Sequence, residues 1–243
     1  MTTLSPKERI IFPLDVPDKK QALRLVGLLK DHIGVFKIGL ELFVACGPAV
    51  VSAVKKEAPD RPVFLDMKFY DIPATVKGAV KSAANLGVDF ITVHTDGGRA
   101  LLDAIVEGSA GKVKVLGVTV LTSVSGEDMA EAGIDPRFKN PVDLVLHRAR
   151  LASLSGCAGV VCSGHEANAV KREFGADLIV VTPGIRSSQD SAGDQKRVVT
   201  PYEAILNGAD YIVVGRPIRN ALDPVKAAML IAEEVGQAMK DRA

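Results

Sequence analysis

The chain has 243 residues, which at roughly 150 residues per average domain allows one barrel-sized domain or two small ones. Hydrophobic residues make up 47% of it and mean hydropathy is +0.20, enough for a sizeable core and too apolar for a disordered chain. Thirty Lys and Arg against 29 Asp and Glu leave a net charge of +1, which lacks the basic excess of a nucleic-acid surface, and no apolar run approaches the ~18 residues of a membrane span.

Eight short apolar runs rich in β-branched residues recur along the chain: RIIFPLD at 9–15, GVFKIG at 34–39, PVFLDMK at 62–68, DFITVH at 89–94, KVLGVTVLT at 114–122, AGVVCSG at 158–164, DLIVVTPG at 177–184 and DYIVVGR at 210–216. Each has the length and continuity of a strand buried on both faces. Between them lie helical patterns. The first starts at Asp18, an N-cap with Gln21 three residues on as in a capping box. Others follow at 47–58, 73–87, 97–108, 141–156, 166–175, 200–208 and 223–241, several ending in Gly as a C-cap does. SGEDMAEAG at 125–133 is expected to be an extra short helix.

Strand and helix thus alternate eight times, which favours an α/β architecture of the (β/α)8 TIM-barrel type, with residues 1–243 as a single domain. An open Rossmann sheet would carry GxGxxG after the first strand, where PLDVPD stands instead. The N-terminus has no apolar signal region, so a cytoplasmic location is expected. Cys46, Cys157 and Cys162 have neither disulfide-framework nor metal-ligand spacing and read as reduced core thiols.

In such a barrel the site is built where the strands end. The polar residues there are Asp15, Lys37, Asp66 with Lys68, His94, Thr122, Ser163, Pro183 with Gly184, and Gly215 with Arg216. Asp66 and Lys68 are two apart, so an extended strand projects both to one side, with Met67 and Phe69 packing on the other. If adjacent strands pair in order, Lys37 joins them in a cluster of alternating charge, with Asp71 at the loop–helix boundary before Pro73. Such a network keeps its lysines protonated, which makes Lys68 a proton donor and not a Schiff-base nucleophile. A structural ion-pair network at the rim is the bland alternative. Two aspartates also suit Mg²⁺, but the adjacent lysines already supply positive charge there.

The loops after strands seven and eight carry a phosphate signal. Gly184 and Gly215 permit close backbone approach, Arg216 offers a bidentate contact, and the polar stretch 186–197 suits a lid. His94 reads as a hydrogen-bonded structural histidine.

The stretch FLDMKFYDIPATV at 64–76 resembles the DxKxxDIPxT signature of the orotidine 5′-monophosphate decarboxylases. LDVPD at 14–18, FKIGLELF at 36–43, LTS at 121–123, TPGIR at 182–186, Gln195 and VVGRPI at 213–218 stand in that family's order, so the resemblance spans nearly the whole chain. It implies decarboxylation of orotidine 5′-monophosphate to UMP with no metal or organic cofactor. Lys68 would protonate C6, with Lys37, Asp66 and Asp71 completing the charged network. Asp15 and Lys37 would contact the ribose and Thr122 the pyrimidine. Arg186, Gln195, Gly215 and Arg216 would serve the substrate's phosphate side, and Pro183 would also contact the substrate. The resemblance further implies a homodimer in which Asp71, Ile72 and Thr75 reach the partner's site. Departures are small: PLDV stands for ALDV, and HTDGG for HAxGG, which adds the negative charge of Asp96.

A related group, the Mg²⁺-dependent 3-keto-L-gulonate 6-phosphate decarboxylases and hexulose phosphate synthases, shares a DxKxxD element. Those proteins carry an acidic residue where this chain has Lys37, and they lack the DIPxT continuation. A barrel that only binds a nucleotide or sugar phosphate is the non-enzymatic alternative.

Overall fold

The computed structural model describes residues 4–138, 140–186 and 198–242. Eight parallel strands close into a barrel in sequence order, as the alternation of patterns predicts. They are β1 (Ile10–Pro13), β2 (Val35–Gly39), β3 (Val63–Phe69), β4 (Phe90–His94), β5 (Lys114–Val118), β6 (Gly159–Val161), β7 (Ile179–Thr182) and β8 (Tyr211–Val213). Each apolar run yields a strand, trimmed at its ends. The helices are α1 (Lys19–Leu29), α2 (Leu40–Cys46), α3 (Ala49–Glu57), α4 (Pro73–Asn85), α5 (Gly98–Ser109), α6 (Gly126–Glu131), α7 (Pro141–Leu154), α8 (Ala167–Phe174), α9 (Pro201–Leu206), α10 (Arg216–Arg219) and α11 (Pro224–Arg242). Among the described residues no helix is long and apolar enough to cross a membrane.

Local chemistry sets the boundaries. Asp18 caps α1 by accepting the Gln21 N–H at 2.8 Å. The reciprocal half of the expected box is absent: the Gln21 amide donates to the Asp18 carboxylate itself, at 2.6 Å. The extra short helix is present as α6, where Ser125 and Asp128 form a reciprocal box. Proline occupies the first turn of α4, α7 and α9, where its missing N–H costs nothing. Two helices were not anticipated, α2 and the four-residue α10. Both follow a glycine that offers no side-chain cap, and α10 has only the proline of its first turn to mark its start.

Burial divides into two layers. Ile11, Val35, Phe64, Phe90, Leu116 and Val181 fill the barrel interior. The larger cluster lies between strands and helices, with Met67 and Phe69 packed against it as expected. Inside, Phe64 meets Phe90 edge-on at 6.1 Å and Phe90 meets Tyr211 at 5.7 Å. Burying Phe64 and Phe90 stabilises the fold by about 1.5–3 kcal/mol each through lost water contact. The plug also sets the site's floor. Strand parity puts residues two positions beyond Val35 and Phe64 on the same inward face, and those residues are Lys37 and Asp66.

Candidate active site

Two adjoining cavities open at the C-terminal ends of the strands. One, of about 420 Å³, is lined by Asp15, Lys37, Glu41, Pro183, Gly184, Arg186, Gly215, Arg216 and Arg219 among others. The other, of about 210 Å³, is lined by Lys68, Thr122, Ser123, Cys162 and the apolar ends of β5 to β8. Lys37, Asp66, Pro183 and Val213 border both, so the two form one cleft with a polar and an apolar half.

Asp66 stands at the join and is buried. Its Oδ2 lies 3.1 Å from Lys37 Nζ and its Oδ1 lies 3.0 Å from Lys68 Nζ. Lys37 Nζ also sits 3.6 Å from Asp15 Oδ1, so the chain of charges runs Asp15, Lys37, Asp66, Lys68. Burial by itself would raise the Asp66 pKa, but the two ammonium groups and the hydrogen bonds from Lys68 and Thr92 reverse this and bring it to about 2. For Lys37 burial works in the lowering direction and is outweighed by the Asp66 and Asp15 carboxylates, so its pKa lies above the ordinary lysine value.

The backbone that delivers Lys68 departs from the simple strand expected. Register with β4 shifts between Leu65 and Phe69, and Lys68 has φ +50°, left-handed for a residue with a Cβ. Such a conformation costs about 1–3 kcal/mol and persists where surrounding bonds fix it. Thr92 supplies those bonds. Its hydroxyl accepts the Lys68 N–H at 2.9 Å and donates to Asp66 Oδ1 at 2.8 Å. Asp66 and Lys68 therefore meet as expected, but through a bulge held by a threonine and not through strand alternation. Thr92 was missed in the sequence, although it lies two residues after inward-facing Phe90 and shares its face.

At the polar half, Gly184 has φ +77°, which glycine adopts without strain. A Cβ at Gly215 would lie 2.9 Å from Pro13 Cγ, so only glycine lets the end of β8 pass that of β1. Arg216 opens α10, whose N-terminal turn faces this cavity as an anion site requires. Arg186 is buried and donates Nη1–H to the Ile185 carbonyl at 2.7 Å. Thr122 lines the apolar half and is buried too.

Three candidates are not gathered into this cleft. Asp71, Ile72 and Thr75 are exposed at the start of α4, and Ile72 retains 65% of its surface. The Asp71 carboxylate accepts the adjacent Ile72 N–H at 2.6 Å, and no ion pair joins it to Lys37, Asp66 or Lys68 among the described residues. Gln195 and positions 187–197 of the expected lid lie outside the described residues.

His94 is occupied structurally, as its sequence position suggests. It lies 3.5 Å from Asp96 and edge-on to Tyr70 at 5.7 Å. The His94 hydrogen bond, opposed by burial and reinforced by Arg148, holds the Asp96 carboxyl below its ordinary value. Cys46, Cys157 and Cys162 are free thiols; burial pushes Cys157 up to about 12, which makes it inert. Besides Thr92, the sequence reading missed Glu41, Cys162 and Arg219 as cleft residues.

Comparisons with known proteins identify the family. An orotidine 5′-phosphate decarboxylase of Desulfosudis oleivorans is 47% identical over 239 residues, covering 97% of this chain and 96% of its own. One from Teredinibacter turnerae is 46% identical over 230 residues, covering 93% and 97%. The crystal structure of orotidine 5′-phosphate decarboxylase from Lactobacillus acidophilus superposes with a TM-score of 0.81 at 33% identity, covering 93% of this chain and 98% of that one. The family model described as orotidine 5′-phosphate decarboxylase / HUMPS matches residues 8–231, and the chain belongs to that family.

Proposed function

We propose that this chain decarboxylates orotidine 5′-monophosphate to UMP in pyrimidine biosynthesis without a metal or organic cofactor, using Lys68 as the proton donor to C6. The observation that carries the reading is the Lys37–Asp66 pair at 3.1 Å. With Lys37 on one oxygen of Asp66 and Lys68 on the other, the carboxylate already carries two cationic partners. A Mg²⁺ ion would have to displace an ammonium group to bind there, which weighs against the enediolate branch of the family.

In the proposed reaction the C6–carboxylate bond breaks, CO₂ leaves, and the electron pair stays on C6. The Lys68 ammonium stabilises that carbanion and transfers a proton to it, and solvent later restores the proton on Lys68. The apolar half of the cleft suits the pyrimidine, with Thr122 beside it; its low polarity strengthens the attraction between ammonium and carbanion. Asp15 and Lys37 would hold the ribose. Pro183, Gly215, Arg216 and Arg186 would line the phosphate end, and Gln195 would contact the same group. Binding energy gathered at the phosphate is then realised at the reacting carbon.

A homodimer belongs to the proposal. The exposed Asp71, Ile72 and Thr75 would enter the partner's cleft, so that each site draws on both protomers. We assign the enzyme to the cytoplasm and the whole chain to a single domain.

The test is the absorbance change of orotidine 5′-monophosphate with purified protein in excess EDTA, run beside Lys68→Ala. Turnover is expected in EDTA, and the variant should lose on the order of 10⁴-fold or more, combining proton transfer with charge stabilisation. No turnover in EDTA, with activity on a sugar phosphate once Mg²⁺ is restored, would move the chain to the enediolate branch.

A further inference from the structure

Arg219 lies at the end of α10, three residues beyond the candidate phosphate ligand Arg216, and it lines the same cavity as Asp15. Its guanidinium Nη1 donates to the Asp15 backbone carbonyl. That carbonyl lies past the last residue of β1 and therefore outside the ladder that fixes the strand. The Asp15 carboxylate in turn faces Lys37 at 3.6 Å and is about half exposed, so little besides its backbone holds it in place. The backbone N–H of Arg219 donates to the Gly215 carbonyl at 2.9 Å, which ties the arginine back to the turn where the phosphate end begins.

We propose that Arg219 is a positioning residue that fastens the Asp15 turn to α10, so that the Asp15 carboxylate is held at the ribose end of the cleft. A guanidinium suits this task because its planar fork is preorganised and always charged. The inference rests on the decarboxylase reading, since it assigns Asp15 to the ribose. It differs from a direct phosphate contact in a measurable way. A positioning arginine acts through Asp15 on any substrate that has the ribose, whereas a phosphate ligand acts only on the phosphorylated one.

The experiment compares kcat/KM for orotidine 5′-monophosphate and for orotidine, which lacks the phosphate, in wild type, Arg219→Met, Asp15→Ala and the double variant. Arg219→Met keeps an apolar stem for packing, and Arg219→Lys, with one donor on a similar stem, provides a second variant. About a tenfold loss is expected for Arg219→Met on both substrates, with most activity restored in Arg219→Lys and no added loss in the Asp15→Ala background. A loss confined to the phosphorylated substrate, or one that persists after Asp15→Ala, would overturn the proposal in favour of a phosphate ligand. Unchanged kinetics would overturn it outright. Wild-type turnover in the same assay separates these results from failure of the decarboxylase reading itself.

Discussion

Residues 63–69 and 71–75 are neighbours in sequence, yet one stretch is settled within a single chain and the other is not. In β3, Asp66 has three partners within 3.1 Å and lies buried, and even the strained Lys68 backbone is fixed by Thr92. A few residues on, Asp71, Ile72 and Thr75 stand exposed, with the Asp71 carboxylate turned to its own backbone neighbour. The cleft's charged floor is preorganised by its own chain, while the proposed dimer would have to supply the partners of Asp71, Ile72 and Thr75.

The comparison is broken most directly by mixing defective proteins. Asp71→Ala is expected to lose about 10²–10³-fold in kcat/KM, the usual effect of removing one charged group from a preorganised site. Lys68→Ala is expected to be inactive because it lacks the proposed proton donor. After subunit exchange half the dimers are hybrids, each with one intact site of two, so about a quarter of wild-type activity should return. Exchange demonstrated by mass spectrometry without any recovery would place Asp71 in its own chain's site.

Asp66 tests the settled half. Asp66→Asn keeps the shape but removes the counter-charge that Lys37 and Lys68 share, leaving Lys37 with Asp15 alone at 3.6 Å, and breaking a buried pair in this way costs about 3–5 kcal/mol. Its pKa is depressed in the folded protein, so its stabilisation is present above the ordinary carboxylate value near 4 and is lost as pH falls toward about 2. At about 1.4 kcal/mol per pKa unit this is worth roughly 2–3 kcal/mol. Urea unfolding of wild type should therefore weaken between about pH 4 and pH 2 by that much more than Asp66→Asn does. Parallel pH profiles would show that Asp66 is not the group responsible.

The same contrast explains what the sequence made legible. Continuous apolar runs disclose strands buried on both faces, so all eight were readable, and strand-end polar residues gave Lys37, Asp66 and Lys68 together. Helices α2 and α10 were not readable because each begins at a glycine with no cap and lasts only a turn or two. Arg219 was hidden for a different reason: its partner is the carbonyl of Asp15, and backbone acceptors leave no trace in residue types. The bulge at Lys68 likewise depends on Thr92 from another strand, a pairing that only the closed barrel brings about.

Thr92 is where the smallest effect should sharpen the comparison. Thr92→Val preserves volume and β-branching but removes the hydroxyl that serves two masters. Asp66 loses one of its donors, and the part-buried Lys68 N–H loses its acceptor. Leaving such a donor unpaired costs about 1–3 kcal/mol, and the strain at φ +50° then has less to oppose it. The expected result is a lower urea midpoint together with a fall in kcat of roughly tenfold, the kinetic equivalent of about 1.4 kcal/mol at the proton donor. Thr92→Ser retains the hydroxyl and should recover both properties. Equal turnover in the valine and serine variants would mean that Lys68 is aimed by Asp66 alone, and that the preorganisation of the floor resides in its ion pairs and not in the bulge.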